Sequence, residues 1–397
     1  MMRKRRLRIA ALLFALLLLL CSCQQEENKD TGTAESQSIV HTPPSKTPQQ
    51  DADGTASNIK NVILIIGDGM GLEHIGAAQM CEGKRLCFTD WQYASVNTDS
   101  VNEDGQGSVL TDSAAAATAM ATGSLTVNGY VGKNSRGRDL STVLDEARRL
   151  GKATGIVTTD TLYGATPAAF SAHSFTRTDA AGIVMSQLSS GVELLCGTTD
   201  VLCSDRKNAI TAAGYRYCDS LSAASASMEA DRAYWQLPLA GSNASVALCD
   251  ATTVALEYLS RDEDGFCLVV EQAHIDKYAH SNLFAETLAC VKSLDDTVAA
   301  VLAWIGDRDD TAVIVTADHE TGGLSVSYQN RLANAYEGVS ATVYYEFSSV
   351  EHTDQEVGIF LWGIEVDLSE YSYSSRHLIK NTDVYYIVCD ILNHTLW

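Results

Sequence analysis

The stretch Thr111–Met120, TDSAAAATAM, sets a serine behind an aspartate and ahead of four alanines. Alanine is the strongest helix former, and aspartate or serine suits the residue that caps a helix. A capped helix of small residues packed close to a sheet accounts for the pattern. So does a nucleophilic Ser113 at a helix N-terminus, where backbone N–H groups favour an anion. Elsewhere the chain presents acids and imidazoles: Asp68 in IGDGMG, Glu271 in VVEQAH, Asp318 and His319 in TADHE, Asp276 and His280 in DKYAH, and His352 in EHTD. Asp276 and His280 stand at i and i+4, on one face of a helical turn. Carboxylates and imidazoles are the usual ligands of zinc, and oxygen-only sets suit magnesium. Each residue alone also fits a solvated or structural role. Their joint occurrence at the ends of several strands is what points to metal chemistry.

The elements that must position them are legible as hydrophobic runs. NVILIIGDGMG (61–71), TGIVTT (154–159), FCLVVEQAH (266–274) and TAVIVTADHE (311–320) are apolar runs that end in acidic or hydroxyl residues. Such runs read as buried parallel strands. Helical patterns cover 112–122, 139–150, 178–189 and 284–304, and GIFLWGI (358–364) reads as a later strand. Strands alternating with helices predict an α/β fold: a three-layer α/β/α sandwich with a large, mostly parallel central sheet. The weaker periodicity of about 195–250 predicts a small insertion or cap. In such sheets ligands bind beyond the carboxyl ends of the strands, where the polar residues above fall.

Composition bounds the partners. The chain has 397 residues, 46% of them hydrophobic, enough for a large core, and a net charge of −22. Nucleic acid as a specific partner is disfavoured, because phosphate backbones need basic surface. An anionic small molecule remains compatible where local cations outweigh the global field. MMRKRRLR followed by the apolar run Ile9–Leu20 has the form of a secretory signal over residues 1–22. LCSC, ending at Cys23, resembles a bacterial lipobox with Cys23 as the lipidated residue; ordinary signal cleavage nearby is the alternative. Residues 23–58 are polar and predict a disordered tether, and the folded part runs from about Ile59 to 397. The expected location is the exported cell envelope, on the membrane through Cys23 or otherwise secreted. Of eleven cysteines, Cys81–Cys87 and Cys196–Cys203 are spaced for local disulfides, and Cys267 in an apolar strand is expected to be a buried thiol.

In order along the chain, IGDGMG, TDSAAAATA, ATPAAFSAHSFTR (165–177), EQAHIDKYAH, TADHETGG and HTDQEVGIF (352–360) make the sequence resemble the alkaline phosphatase family. The resemblance implies hydrolysis of phosphate monoesters through a phosphoserine at Ser113. It implies one zinc ion on Asp276, His280 and His352 and a second on Asp68, Asp318 and His319. Magnesium would lie on Asp68, Glu271 and Thr166. Arg177 would clamp the phosphoryl group, with Asp112 orienting it. Homodimers are common in the family. The logic is chemical: zinc stabilises a serine alkoxide, paired cations flank an in-line displacement, and a planar guanidinium matches two phosphoryl oxygens.

Two positions depart from or refine the pattern. The bacterial enzymes commonly carry Asp or His two residues before the magnesium-site threonine, whereas this chain has Gly164. Without a side chain there to orient metal-bound water, magnesium binding is expected to be weaker than in a Gly164→Asp variant. Lys277 matches a lysine-bearing subgroup and reads either as a cation near the phosphoryl group or as a solvated surface lysine. His173 is expected to be structural; His74, His274, His377 and His394 match no metal position. The rival readings are a phosphodiesterase of the same superfamily and a tethered metal- or phosphate-binding protein without catalysis. Ser113, Glu271 and Arg177 together favour the monoesterase.

Overall fold

The computed structural model describes residues 59–241, 244–328, 343–373 and 378–394. The signal over residues 1–22, Cys23, the polar stretch to residue 58 and His377 lie outside the described residues.

The strands in chain order are β1 (Asn61–Gly67), β2 (Gln92–Asn97), β3 (Ala153–Thr158), β4 (Leu194–Thr198), β5 (Arg216–Cys218), β6 (Ala233–Leu237), β7 (Phe266–Gln272) and β8 (Thr311–Thr316). They are followed by β9 (Glu320–Thr321), β10 (Leu324–Tyr328), β11 (Val343–Phe347), β12 (His352–Thr353), β13 (Val357–Trp362) and β14 (Leu378–Lys380). Ten of them form one sheet in the order β14-β2-β13-β8-β1-β7-β3-β4-β6-β5. All neighbours run parallel except β13, which is antiparallel to both β2 and β8. Every residue of β1, β3, β7 and β8 is buried, as the unbroken apolar runs require of strands covered on both faces. Glu271 sits opposite Ile66 in the β1–β7 pairing, so both strands reach the same end of the sheet.

Helices cover the sheet in two groups. Leu72–Glu82 and Leu248–Leu259 each pack against Phe284–Ile305; Ser113–Thr122, Val143–Arg149, Ala165–Ser171 and Asp383–Asn393 form the other group. The expected start of the 139–150 helix moves to Val143 because Thr142 and Asp145 make a reciprocal capping box. The region near 195–250 extends the sheet: β4, β6 and β5 form its far edge.

The two expected disulfides are not formed: all nine cysteines between Cys81 and Cys389 are free thiols. Cys196 points into the core from β4, while Cys203 sits on the separate helix Val201–Asp205 and accepts a hydrogen bond from the Tyr234 hydroxyl at 3.1 Å. Cys81 is exposed and Cys87 half-buried. Cys267 is a buried thiol, as expected.

Candidate active site

Ser113 is the first residue of the helix Ser113–Thr122, and all ten residues of that helix are buried. It packs against the helix Ala165–Ser171, which carries Thr166. Small side chains permit this burial; each methylene forced into such a packed position costs about 1–3 kcal/mol. Asp112 caps the helix, its Oδ1 accepting from Ala115 N–H at 2.9 Å. The same carboxylate accepts from Gly129 N–H at 3.1 Å and from Arg177 Nη1 at 3.2 Å. Helix start and guanidinium therefore share one anchor.

The sheet delivers the acids. Asp68 follows β1, Glu271 lies in β7, and Asp318 and His319 follow β8. At Gly69, φ is +77° and an added Cβ would stand 2.8 Å from the Asp276 Cα. Only glycine lets the turn after β1 come that close, and it brings Asp276 N–H onto the Asp68 carbonyl at 2.9 Å. The short β9–β12 pair places His352 opposite Thr321, two residues past His319.

Two donor clusters result. In one, Asp276 Oδ1 lies 3.2 Å from His280 Nε2 and 3.5 Å from His352 Nε2. In the other, His319 Nε2 lies 3.6 Å from Asp68 Oδ1 and 3.3 Å from Asp318 Oδ2. Within each trio the candidate ligand atoms lie within 4.8 Å of one another. The clusters adjoin, because the rings of His319 and His352 stack with centroids 3.6 Å apart.

The hydrogen bonds behind the imidazoles fix which nitrogen faces inward. His280 Nδ1 meets the Val350 carbonyl at 2.5 Å and His352 Nδ1 the Thr111 carbonyl at 2.8 Å. A carbonyl only accepts, so both Nδ1 atoms carry hydrogen, and each ring, once neutral, turns a bare Nε2 toward its cluster. The Thr321 hydroxyl donates to Asp276 Oδ1 at 2.6 Å, so it accepts from His319 Nδ1 at 3.2 Å. His319 Nε2 is thereby bare as well.

Charge and satisfaction both call for cations. Burial pushes the Asp68 carboxyl well above the ordinary range, and Asp318, Asp276 and Glu271 add to it. Burial and then Asp160 push Glu271 up to about 7, against the Thr158 hydroxyl and Lys277. Burial also raises Asp276, but the His352 hydrogen bond, His319 and the Thr321 hydroxyl outweigh it and hold the carboxyl well below its usual value. Asp68 Oδ1, Asp318 Oδ2 and Thr166 Oγ1 are buried without a hydrogen-bond partner. These are oxygen atoms of the expected ligand residues, and a buried unpaired acceptor is costly unless something binds it. The two trios fit mixed nitrogen–oxygen metal sites, and the unpartnered oxygens show that the buried acids and Thr166 have acceptor capacity to spare.

Of the predicted residues, Lys277 is paired with Asp160, Nζ to Oδ1 at 2.6 Å. His173 Nε2 meets the Leu140 carbonyl at 2.8 Å and His274 Nδ1 the Thr159 hydroxyl at 3.1 Å, both away from the clusters. Sequence reasoning missed Thr321, Thr158 and Asp160. Thr158 and Asp160 belong to the hydroxyl-rich end of β3, which carries the same strand-end signal as Asp68 and Glu271. Thr321 follows directly on the DHE motif.

The alkaline phosphatase family model matches residues 59–198 and 235–383, leaving part of the β4–β6 edge unmatched. Alkaline phosphatase 3 of Bacillus subtilis is 31% identical over 71% of this chain and 66% of its own length. Alkaline phosphatase 4 of the same organism is 30% identical over 68% of this chain and 63% of its own. The match thus spans just under two thirds of these curated relatives. The alkaline phosphatase of Escherichia coli is 28% identical over 82% of this chain and 84% of its own. In fold, the chain superposes on alkaline phosphatase from the Antarctic bacterium TAB5 with a TM-score of 0.73, 24% identity, and coverage of 85% and 99%. With the ordered motifs, the ten-stranded sheet and the paired donor clusters in place, the family match over most of the described residues has one meaning: the chain belongs to the alkaline phosphatase family.

Proposed function

We propose that the chain hydrolyses phosphate monoesters to an alcohol and inorganic phosphate through a phosphoserine on Ser113. In this reading zinc is held by Asp276, His280 and His352 and by Asp68, Asp318 and His319, with magnesium on Asp68, Glu271 and Thr166. A solved variant of the TAB5 enzyme is described with Mg bound, which supports the magnesium assignment by kinship. Bound there, the cations would lower the pKa of the serine hydroxyl and neutralise charge gathering on the phosphoryl and leaving oxygens.

The chain's own residues supply the rest. Ser113 Oγ attacks phosphorus, the new O–P bond forming as the ester O–P bond breaks and the alcohol departs. Water then cleaves the phosphoserine, returning the serine hydroxyl and releasing phosphate. Arg177 has one Nη1 contact committed to Asp112; its remaining N–H groups can grip two phosphoryl oxygens. The observation that carries this reading is Ser113 Oγ, buried and 3.2 Å from His319 Nε2 at the margin of the donor clusters. The test is hydrolysis of a chromogenic phosphomonoester against the matching diester at alkaline pH, with and without chelator. Chelator-sensitive monoester hydrolysis is expected. Preference for the diester, or activity indifferent to chelator, overturns the reading.

A further inference from the structure

Gly164 lacks a side chain where bacterial relatives commonly carry an acid or a histidine, yet the space beside it is filled. A Cβ built on Gly164 would stand 2.6 Å from Asp160 Oδ2 and 3.0 Å from its Cγ. Asp160 arrives there from the end of β3 and is fixed on several sides. Its carbonyl accepts from Thr198 N–H at 2.7 Å, tying it to β4, and its own N–H donates to the Thr158 hydroxyl at 2.8 Å. Its Oδ1 accepts from Thr161 N–H at 2.8 Å and pairs with Lys277 Nζ at 2.6 Å. Oδ2 is left standing over Gly164, two residues before Thr166, whose buried hydroxyl oxygen has no hydrogen-bond partner. The Thr158 hydroxyl that receives Asp160 N–H also donates to the Glu271 carboxylate. Asp160 and Lys277 both act electrostatically on Glu271.

We propose that Asp160 is the positioning carboxylate of the third-metal site, supplied from β3 into the space a side chain at residue 164 would occupy, where it holds Lys277 beside Glu271. This rests on the reading of Asp68, Glu271 and Thr166 as a magnesium site. Gly164 is then a requirement of the arrangement and no longer a lost group: any Cβ there collides with the carboxylate that has taken its place. Asp160 touches neither phosphoryl group nor serine in this role; it orients what surrounds the cation.

The experiment is calorimetric titration of the zinc-loaded full chain, freed of magnesium, with magnesium chloride alone. Four variants are compared with the parent: Asp160→Ala, Asp160→Asn, Gly164→Asp and the double Asp160→Ala/Gly164→Asp. Asp160→Ala and Asp160→Asn should each weaken magnesium binding by about 10- to 100-fold, and the double variant should return it to within about threefold of the parent. Gly164→Asp alone should bring no tightening, because the two carboxylates compete for one space. Zinc content should stay at the parent level throughout. Unchanged magnesium affinity in both Asp160 variants overturns the proposal. So does a loss that the double variant does not restore, or a loss accompanied by falling zinc content, either of which marks a purely structural residue. Tightening by Gly164→Asp alone overturns it too. A parent that takes up no magnesium overturns the magnesium reading itself, and this proposal with it.

Discussion

Ser113 Oγ stands 3.2 Å from His319 Nε2, and both residues are buried. Because Thr321 takes the hydrogen on His319 Nδ1, that Nε2 is bare, so the serine oxygen and a metal-ready lone pair meet at one point. The pair would give a bound cation an oxygen and a nitrogen donor side by side. The relationship joins two distant parts of the sequence through the fold: the head of the alanine helix and the loop beyond β8.

Replacing Ser113 by alanine removes the proposed nucleophile and keeps the helix, since alanine is favourable in its first turn. Monoester hydrolysis should fall by at least about 10³-fold, as losses of a covalent nucleophile do. Metal content and melting temperature should remain at parent values. Acid-quenched parent enzyme should carry a phosphoryl group on the Ser113 peptide by mass spectrometry, and the variant should not. A phosphopeptide elsewhere in the chain would displace Ser113 from its role.

Asp112 has two tasks that substitution can separate. Asparagine is as good an N-cap as aspartate, so Asp112→Asn should leave stability near the parent while weakening the hold on Arg177. Exchanging a charged for a neutral hydrogen bond there should raise the inhibition constant of inorganic phosphate about fivefold. Asp112→Ala loses the cap as well, costing about 1 kcal/mol in denaturant unfolding on top of the same loss for phosphate. Equal phosphate inhibition in parent and both variants would show that Arg177 is oriented without Asp112.

Thr321 is the hinge between the clusters, donating to Asp276 of one and accepting from His319 of the other. Thr321→Val keeps the shape and the β-branch but strips both hydrogen bonds. Zinc affinity should fall about 10- to 100-fold, the usual effect of removing the groups that orient ligands. Competition with a chromogenic chelator measures it directly. Thr321→Ser, which keeps the hydroxyl, should recover most of the affinity; failure to do so would assign the effect to packing.

The four central strands and their polar ends were legible because each is a continuous apolar run, the signature of a strand buried on both faces. Asp68, Glu271, Asp318 and His319 follow from that register alone. The direction of β13 was not legible, since an apolar run carries no sign for parallel or antiparallel pairing. The cysteine spacing misled because proximity in sequence says nothing of side-chain direction: Cys196 faces the core from a strand and Cys203 rides a separate helix. Asp160 escaped notice because its place at Gly164 is created in space by the turn after β3, four residues upstream of the position that carries the family pattern. Residue-by-residue comparison sees only the glycine there.

Burial holds two acids of the site, Asp68 and Glu271, above the ordinary carboxylate range, which fixes the sign of its pH dependence. Burial, then neighbouring acids, raises Asp68; burial, then Asp160, pushes Glu271 up to about 7. Below these values the groups hold protons that a cation must expel. His352 works in the same sense: burial lowers it, but the Asp276 hydrogen bond and the Thr111 carbonyl outweigh burial, and its proton too must leave before Nε2 can ligate. Asp276 is held low, stays ionised, and contributes no proton. Cation affinity of chelator-stripped protein should therefore climb as pH rises through about 7, where Glu271 gives up its proton, by up to about tenfold per unit for each proton displaced. Titration in buffers of different ionisation enthalpy should read net proton release that is larger at about pH 6 than at about pH 8.5. Equal release at both would mean that the buried acids are already ionised before the metal arrives.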